Sequence, residues 1–218
     1  LPALAMSLNN LANRLSEVGR REEGLATIQR AVEVYERLAE VNPDAYLPDL
    51  ASSLNNLSVR LGEVGRREEG LVVSQRAAEI RERLAETNPD AYLPALAMSL
   101  NNLSVQLAGV GRREEGLAAV QRAAEAYERL AEANPDIYLP DLARSSLVKG
   151  VMLTETAITD EAIWSILRGL GIALERELPD LVNAGASALR RAYQQKPSQT
   201  AKAWRHATST EPPDWMTE

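Results

Sequence analysis

Apolar and polar positions along the chain follow the period of a helix, and they do so in blocks. Within residues 47–92, Leu54, Leu57, Ser58 and Leu61 share one spacing, and Leu71, Ala77, Ile80 and Leu84 share another. Steps of three and four predict two amphipathic helices. The first is predicted over about Pro48 to Val64. Proline suits the first helical position, where its missing N–H costs nothing, and Asp49 suits the positive end of the helix dipole. Gly65 is expected to close this helix as a left-handed cap. The second helix is predicted over about Arg67 to Thr87, opened by Glu68 and Glu69 and stopped by Asn88-Pro89. Glu79 and Arg83 stand four apart in the favoured order, as do Glu33 with Arg37 and Glu125 with Arg129. Such pairs support an exposed helix face.

The block then repeats. Leu1-Pro2 returns as Leu47-Pro48, Leu93-Pro94 and Leu139-Pro140, a period of 46 residues. Residues 1–46 and 47–92 agree at 34 of 46 positions, and 47–92 agrees with 93–138 to the same extent. These are copies of one supersecondary unit. A single helix hairpin cannot bury its own apolar stripe, but stacked hairpins can, which predicts an all-α chain and an α-solenoid of antiparallel hairpins. The organisation expected is unit 1 at 1–46, unit 2 at 47–92, unit 3 at 93–138 and a degenerate unit 4 at 139–180. In unit 4, "LPDLARSSL" opens correctly and Ala162 falls in register with Gly116. A helix at 181–196, with Leu181, Ala188, Leu189 and Tyr193 on one side, is expected to cap the array. Residues 197–218 turn polar and carry Pro212-Pro213, which predicts a flexible tail. Leu1 falls inside a unit, so the native protein is expected to extend upstream of it.

Composition narrows the chemistry. The chain has no cysteine and a single histidine, His206. That excludes a disulfide framework, a thiol nucleophile and a multi-histidine zinc site. A net charge of −7 speaks against nucleic acid, whose phosphates need a basic stripe. No apolar run reaches the length of a membrane span, and no signal peptide is visible, so no membrane association and a cytoplasmic location are expected. The glutamates interleave with arginine at helical spacing, the pattern of a solvated face rather than a catalytic pair. "GRREEG" (19–24, 65–70, 111–116) lacks the strand and glycine spacing of a phosphate loop and is read as a helix–helix turn. No enzyme activity, metal or cofactor is expected.

The residues resemble the tetratricopeptide repeat. Its first-helix pattern of large, large, small, large appears as Leu8, Leu11, Ala12, Leu15, and again as Leu54, Leu57, Ser58, Leu61 and Leu100, Leu103, Ser104, Leu107. Small residues open the second helix at Gly24, Gly70 and Gly116 and recur at Ala31, Ala77 and Ala123. The order in "LPDLASSLNNLSVRLGEVGRREEG" (47–70) is similar to the kinesin light chain type, here in a longer, bacterial-like version extended by "NPDAY". The resemblance covers residues 1–138 and implies a TPR superhelix whose first helices line a concave groove.

On that basis "SLNNL", at 7–11, 53–57 and 99–103, is the candidate functional feature. Asparagine is a poor helix former, and its amide offers both donors and acceptors. Asn9, Asn10, Asn55, Asn56, Asn101 and Asn102 are expected on or near the inner surface, as a ladder able to pair with the backbone of an extended peptide. Alternatively, one asparagine of each pair bonds a neighbouring helix and fixes the repeat geometry. Asn13, Val59 and Val105 vary between copies near this face, as do Met6, Ser52 and Met98, and Ser16, Gly62 and Ala108. Arg14 and Arg60 are candidates to meet an acidic residue, with Glu17 and Glu63 opposing them. The groove carries no lysine, which argues against a carboxylate-terminus ligand. The resulting expectation is a non-enzymatic module binding a peptide or protein segment. Further candidate occupants are its own tail, through Trp215, and a second copy in a homo-oligomer. The alternative is a regulatory or self-association segment of a larger bacterial signalling protein.

Overall fold

The computed structural model describes residues 1–217, and among them every regular element is a helix. The chain divides into two compact units, Leu1–Arg112 and Arg113–Glu218. The division falls in the turn within the third sequence repeat.

The first unit contains α1 (Pro2–Glu17), α2 (Arg21–Val41), α3 (Pro43–Glu63), α4 (Arg67–Thr87) and α5 (Pro89–Gly109). Consecutive helices pack on one another, and α1 also touches α3, as α3 touches α5. Each "GRREEG" segment begins in a helix–helix turn and continues as the first turn of the following helix. At Gly65, φ is +82°. Its N–H donates to the Gly62 carbonyl (3.1 Å) and the Arg66 N–H donates to the Leu61 carbonyl (2.9 Å). This pair of bonds satisfies the last carbonyls of α3, and the left-handed φ it requires is one that glycine adopts without strain.

One helix boundary differs from the sequence expectation. The first helix of repeat 2 starts at Pro43, not Pro48. The Asn42 side chain caps it by accepting from the Ala45 N–H, and Pro43 and Asp44 occupy its first turn. Thus "NPDAY" is not an insertion between repeats but the opening of the next helix, and Pro48 lies inside α3. Asn88 does the same for α5 through the Ala91 N–H.

Close helix approach follows from small residues. A Cβ at Gly70 would lie 3.0 Å from the Ser58 carbonyl of α3, so any larger residue would push the hairpin apart. An apolar core cluster of this unit runs from Ala5 to Ile80 and includes Ile28, Leu54 and Tyr35.

The second unit contains α6 (Arg113–Ala133), α7 (Pro135–Thr156), α8 (Asp160–Glu175), α9 (Pro179–Gln195), α10 (Pro197–Thr208) and the short α11 (Asp214–Thr217). The α7–α8 hairpin spans most of residues 139–180, read from the sequence as a degenerate unit. Its turn lacks the glycine cap, and Thr159 instead caps α8 by accepting from the Ala162 N–H. Helix α9 packs against α8 and α7 and is itself covered by α10 and α11.

The flexible-tail expectation is overturned. Residues 197–208 form α10, and α10 and α11 both pack on α9. Trp204 and Met216 are buried with Ile166 and Leu189 in the second core. The Thr200 hydroxyl donates to the Ala192 carbonyl, tying the start of α10 to the end of α9. The polar composition masked three apolar positions, Ala203, Trp204 and Ala207, at helical spacing.

Candidate functional site

The candidate face lies in the first unit, on α1, α3 and α5. The two asparagines of each pair have different environments. Asn55 is only 2% exposed, and its Nδ2 donates to the Ser99 hydroxyl of α5 at 2.8 Å. Asn101 is likewise buried. Both amide oxygens, Asn55 Oδ1 and Asn101 Oδ1, are buried without a hydrogen-bond partner. These two residues, expected on the groove surface, instead lie within the helix packing. Their position on α3 and α5 faces the neighbouring helices, so the amides serve the interior. Asn9 is half-buried because α1 has α3 on one side only, and its Oδ1 accepts from Asn56 Nδ2 at 3.0 Å. This bond runs from the second asparagine of one repeat to the first of the preceding one.

The second asparagines stay more open. Asn10 is exposed, and Asn56 and Asn102 are half-buried. Asn13 and Val59 are half-buried, while Val105 is exposed. Met6 and Met98, one helical turn before Asn10 and Asn102, are exposed apolar side chains. The open face is therefore mixed, with amides beside methionine and valine.

Arg14 and Arg60 are already paired. Arg14 Nη1 lies 3.1 Å from Glu17, and Arg60 Nη1 lies 3.0 Å from Glu63. The third copy replaces this pair with Gln106 and Gly109. Gln106 reaches back to donate to the Ser58 carbonyl of α3 at 3.2 Å. Ser16 is not on the open face. Its hydroxyl would sit 2.9 Å from a Cβ at Gly24, inside the α1–α2 contact.

A buried arginine was not anticipated from the sequence. Arg81 of α4 is 2% exposed. Its Nη1 donates to the Ala95 carbonyl (2.6 Å) and the Ser99 hydroxyl (2.9 Å), and its Nη2 donates to the Ser52 hydroxyl (3.0 Å). Ser52 in turn donates to the Pro48 carbonyl at 3.0 Å. The signal was present in the repeat alignment. Tyr35 and Tyr127 hold the Arg81 position in the other copies, and Met6 and Met98 hold the Ser52 position.

Shifted titrations lie away from this face. Arg20 holds the Glu23 carboxyl below the ordinary glutamate range by a two-point hydrogen bond, and Arg66 does the same to Glu69. Burial, then the nearby Asp49 carboxylate, raises the Tyr35 phenol. Among the described residues no group of three His, Asp or Glu side chains is placed to hold a metal ion. No helix among them is long and apolar enough to cross a membrane.

Trp215, expected to seek a groove, is held within the second unit. Its ring packs edge-on to Trp204 at 6.5 Å, the Arg190 guanidinium lies 5.9 Å from its centroid, and Arg190 Nε donates to its carbonyl.

Residues 4–44 and 50–90 match the tetratricopeptide repeat family model. No curated protein matches the sequence. Among solved structures, the chain is similar to the nearly identical TPR-like repeats of kinesin-light-chain type from Podosopora anserina. That match has 17% identity and a TM-score of 0.62, covering 96% of this chain and 99% of the other. It is also similar to MamA, from position 41 to its end, of Desulfovibrio magneticus RS-1, at 12% identity and a TM-score of 0.55, covering 94% of each chain. At such identities the likeness establishes the fold, an all-α solenoid of helix hairpins. The repeat match covers α1 to α4, so residues 4–90 carry tetratricopeptide repeats, and the chain as a whole shares the fold of such solenoids.

Proposed function

We propose that this protein is an interaction scaffold whose first unit binds an extended protein segment along α1, α3 and α5. The protein–protein scaffold role is the general property of such repeats. The observation that carries the finer reading is the split within each Asn pair. Asn55 and Asn101 are buried inside the fold, whereas Asn10, Asn56 and Asn102 are more open, Asn56 with one N–H given to Asn9.

The surrounding side chains support a ligand chemistry. Met6, Met98 and Val105 are exposed beside these amides, and methionine adapts its shape to varied apolar partners. Arg14 and Arg60 have their charge met by Glu17 and Glu63. The preferred ligand is therefore an extended segment with apolar side chains, its backbone hydrogen-bonded by asparagine, rather than an acidic or carboxylate-terminated one.

A peptide-display selection against the whole chain tests this. Selected peptides should be enriched in apolar residues and should bind a double variant, Asn10→Ala with Asn102→Ala, at least about tenfold more weakly at an unchanged melting temperature. Asn56 is left intact because it bonds Asn9. Undiminished binding by the double variant would sink the proposal.

A further inference from the structure

Trp164 of α8 keeps 53% of its surface exposed. It forms one wall of an open cleft of about 350 Å³. The other walls are Asp160 and Glu161 from the first turn of α8 and His206 and Ala207 from the end of α10. None of these five residues is lysine or arginine.

Three of these side chains are positioned by charged or polar partners. The Arg168 guanidinium lies 5.5 Å from the centre of the Trp164 ring, does not line the cleft, and is itself ion-paired with Glu128. Glu161 lies 2.9 Å from Lys149 Nζ. Asp160 Oδ2 lies 3.0 Å from His206 Nδ1, and the Asp160 side chain remains largely exposed. An oriented indole and an oriented carboxylate thus share one opening, four residues apart on the same helix.

We propose that this cleft is a binding site for an arginine side chain of a partner protein, with the guanidinium against Trp164 and hydrogen-bonded to Asp160. Charge complementarity selects a cation through Asp160, whose largely exposed carboxylate an anionic side chain would face, whereas Glu161 is already met by Lys149. The aromatic wall selects guanidinium over ammonium. A guanidinium is planar, weakly hydrated and able to stack on an indole while its edge donates to a carboxylate. The site is separate from the open face of the first unit, and neither proposal depends on the other.

The test is a titration of the full chain followed by NMR of its three indole N–H signals, from Trp164, Trp204 and Trp215. The probes are the blocked tripeptides glycine-arginine-glycine, glycine-lysine-glycine and glycine-citrulline-glycine, citrulline being the neutral isostere. The arginine peptide should shift the Trp164 signal saturably and leave Trp204 and Trp215 in place. Asp160→Asn should weaken this binding about tenfold, and the lysine and citrulline peptides should bind about tenfold more weakly than arginine. Trp164→Leu should abolish the shifts of neighbouring backbone amides, with an otherwise unchanged spectrum showing that it folds. The assignment is overturned by no saturable shift up to about 20 mM arginine peptide, by an equal response to citrulline or lysine, or by unchanged affinity in a folded Asp160→Asn variant.

Discussion

The first unit contains the same packing seam twice, built with different chemistry. Where the first hairpin meets α3, the register position is Tyr35, buried within the apolar cluster that runs from Ala5 to Ile80. Where the second hairpin meets α5, the same position is Arg81, whose guanidinium donates to Ala95, Ser99 and Ser52. The companion position changes with it, from Met6 to Ser52. A methionine thioether accepts hydrogen bonds only weakly, whereas a serine hydroxyl accepts well. The register serine also differs. Ser99 accepts from both Arg81 and Asn55, while the hydroxyl of its equivalent Ser53 is buried without a partner. The backbone geometry of the repeat thus tolerates either an apolar or a polar seam, provided the contacting residues change as a set.

The largest effect that would break this comparison is expected from Arg81→Ala. It strips a donor from two hydroxyls and a carbonyl and opens a cavity, and should cost about 3 kcal/mol or more in urea denaturation. Reinstating the first seam's residues, Arg81→Tyr with Ser52→Met, should be less costly than the two single changes together, by about 1 kcal/mol or more. Strict additivity would show that the two positions do not act as a set.

Next in size is a pair of leucines at equivalent positions. Leu57 is 7% exposed because the preceding hairpin covers it, while Leu11 is 49% exposed. Leu57→Ala should cost about 2–4 kcal/mol, and Leu11→Ala less than about 1 kcal/mol, by thermal or chemical unfolding. Equal costs would mean that burial by the neighbouring repeat is not what distinguishes the two copies.

A smaller contrast sharpens the polar seam alone. Ser99→Ala leaves Arg81 and Asn55 donors unmet and should cost about 1–3 kcal/mol. Ser53→Ala removes a hydroxyl with no partner and should fall within about 0.5 kcal/mol of the parent. A Ser53→Ala cost as large as that of Ser99→Ala would assign the two hydroxyls the same role.

The smallest effect concerns the turns, where the two copies are alike. The folded-state carboxyls of Glu23 and Glu69 sit below their ordinary value because Arg20 and Arg66 hydrogen-bond the ionised form. Their contribution is present above the ordinary glutamate pKa and is lost as pH falls through the depressed folded value. Both pairs are fully solvated, so Glu23→Gln and Glu69→Gln should leave near-neutral stability almost unchanged and slightly flatten its acid limb. A large loss at neutral pH in either variant would show that the turn pairs hold the hairpins together.

Much of the fold was legible because repetition multiplies weak signals. One "GRREEG" is ambiguous, but three at a fixed period, each after an apolar stripe, mark a turn. The family resemblance was legible for the same reason. The start of α3 was not, because Asn42-Pro43 reads equally as the end of one helix and the cap of the next. The helix α10 was missed because Trp204 and Ala203 are few among polar neighbours, and their burial depends on α9 and on Met216 from α11. The division of labour within "NNL" was also out of reach. Both asparagines satisfy the same helical spacing, and only the packing of α3 against α5 assigns Asn55 to Ser99.

The helical hairpins, their 46-residue period, the glycine-capped turns and the exclusion of cysteine chemistry follow from the amino-acid order alone. These depend on local backbone preferences and composition, which are complete within a few residues. Tertiary structure alone decided which asparagines are interior, that Arg81 is buried and hydrogen-bonded, and that the C-terminal segment closes the second core. Each of those outcomes depends on groups distant in the chain meeting at a few ångströms, and burial is a property of the neighbours a residue acquires rather than of the residue.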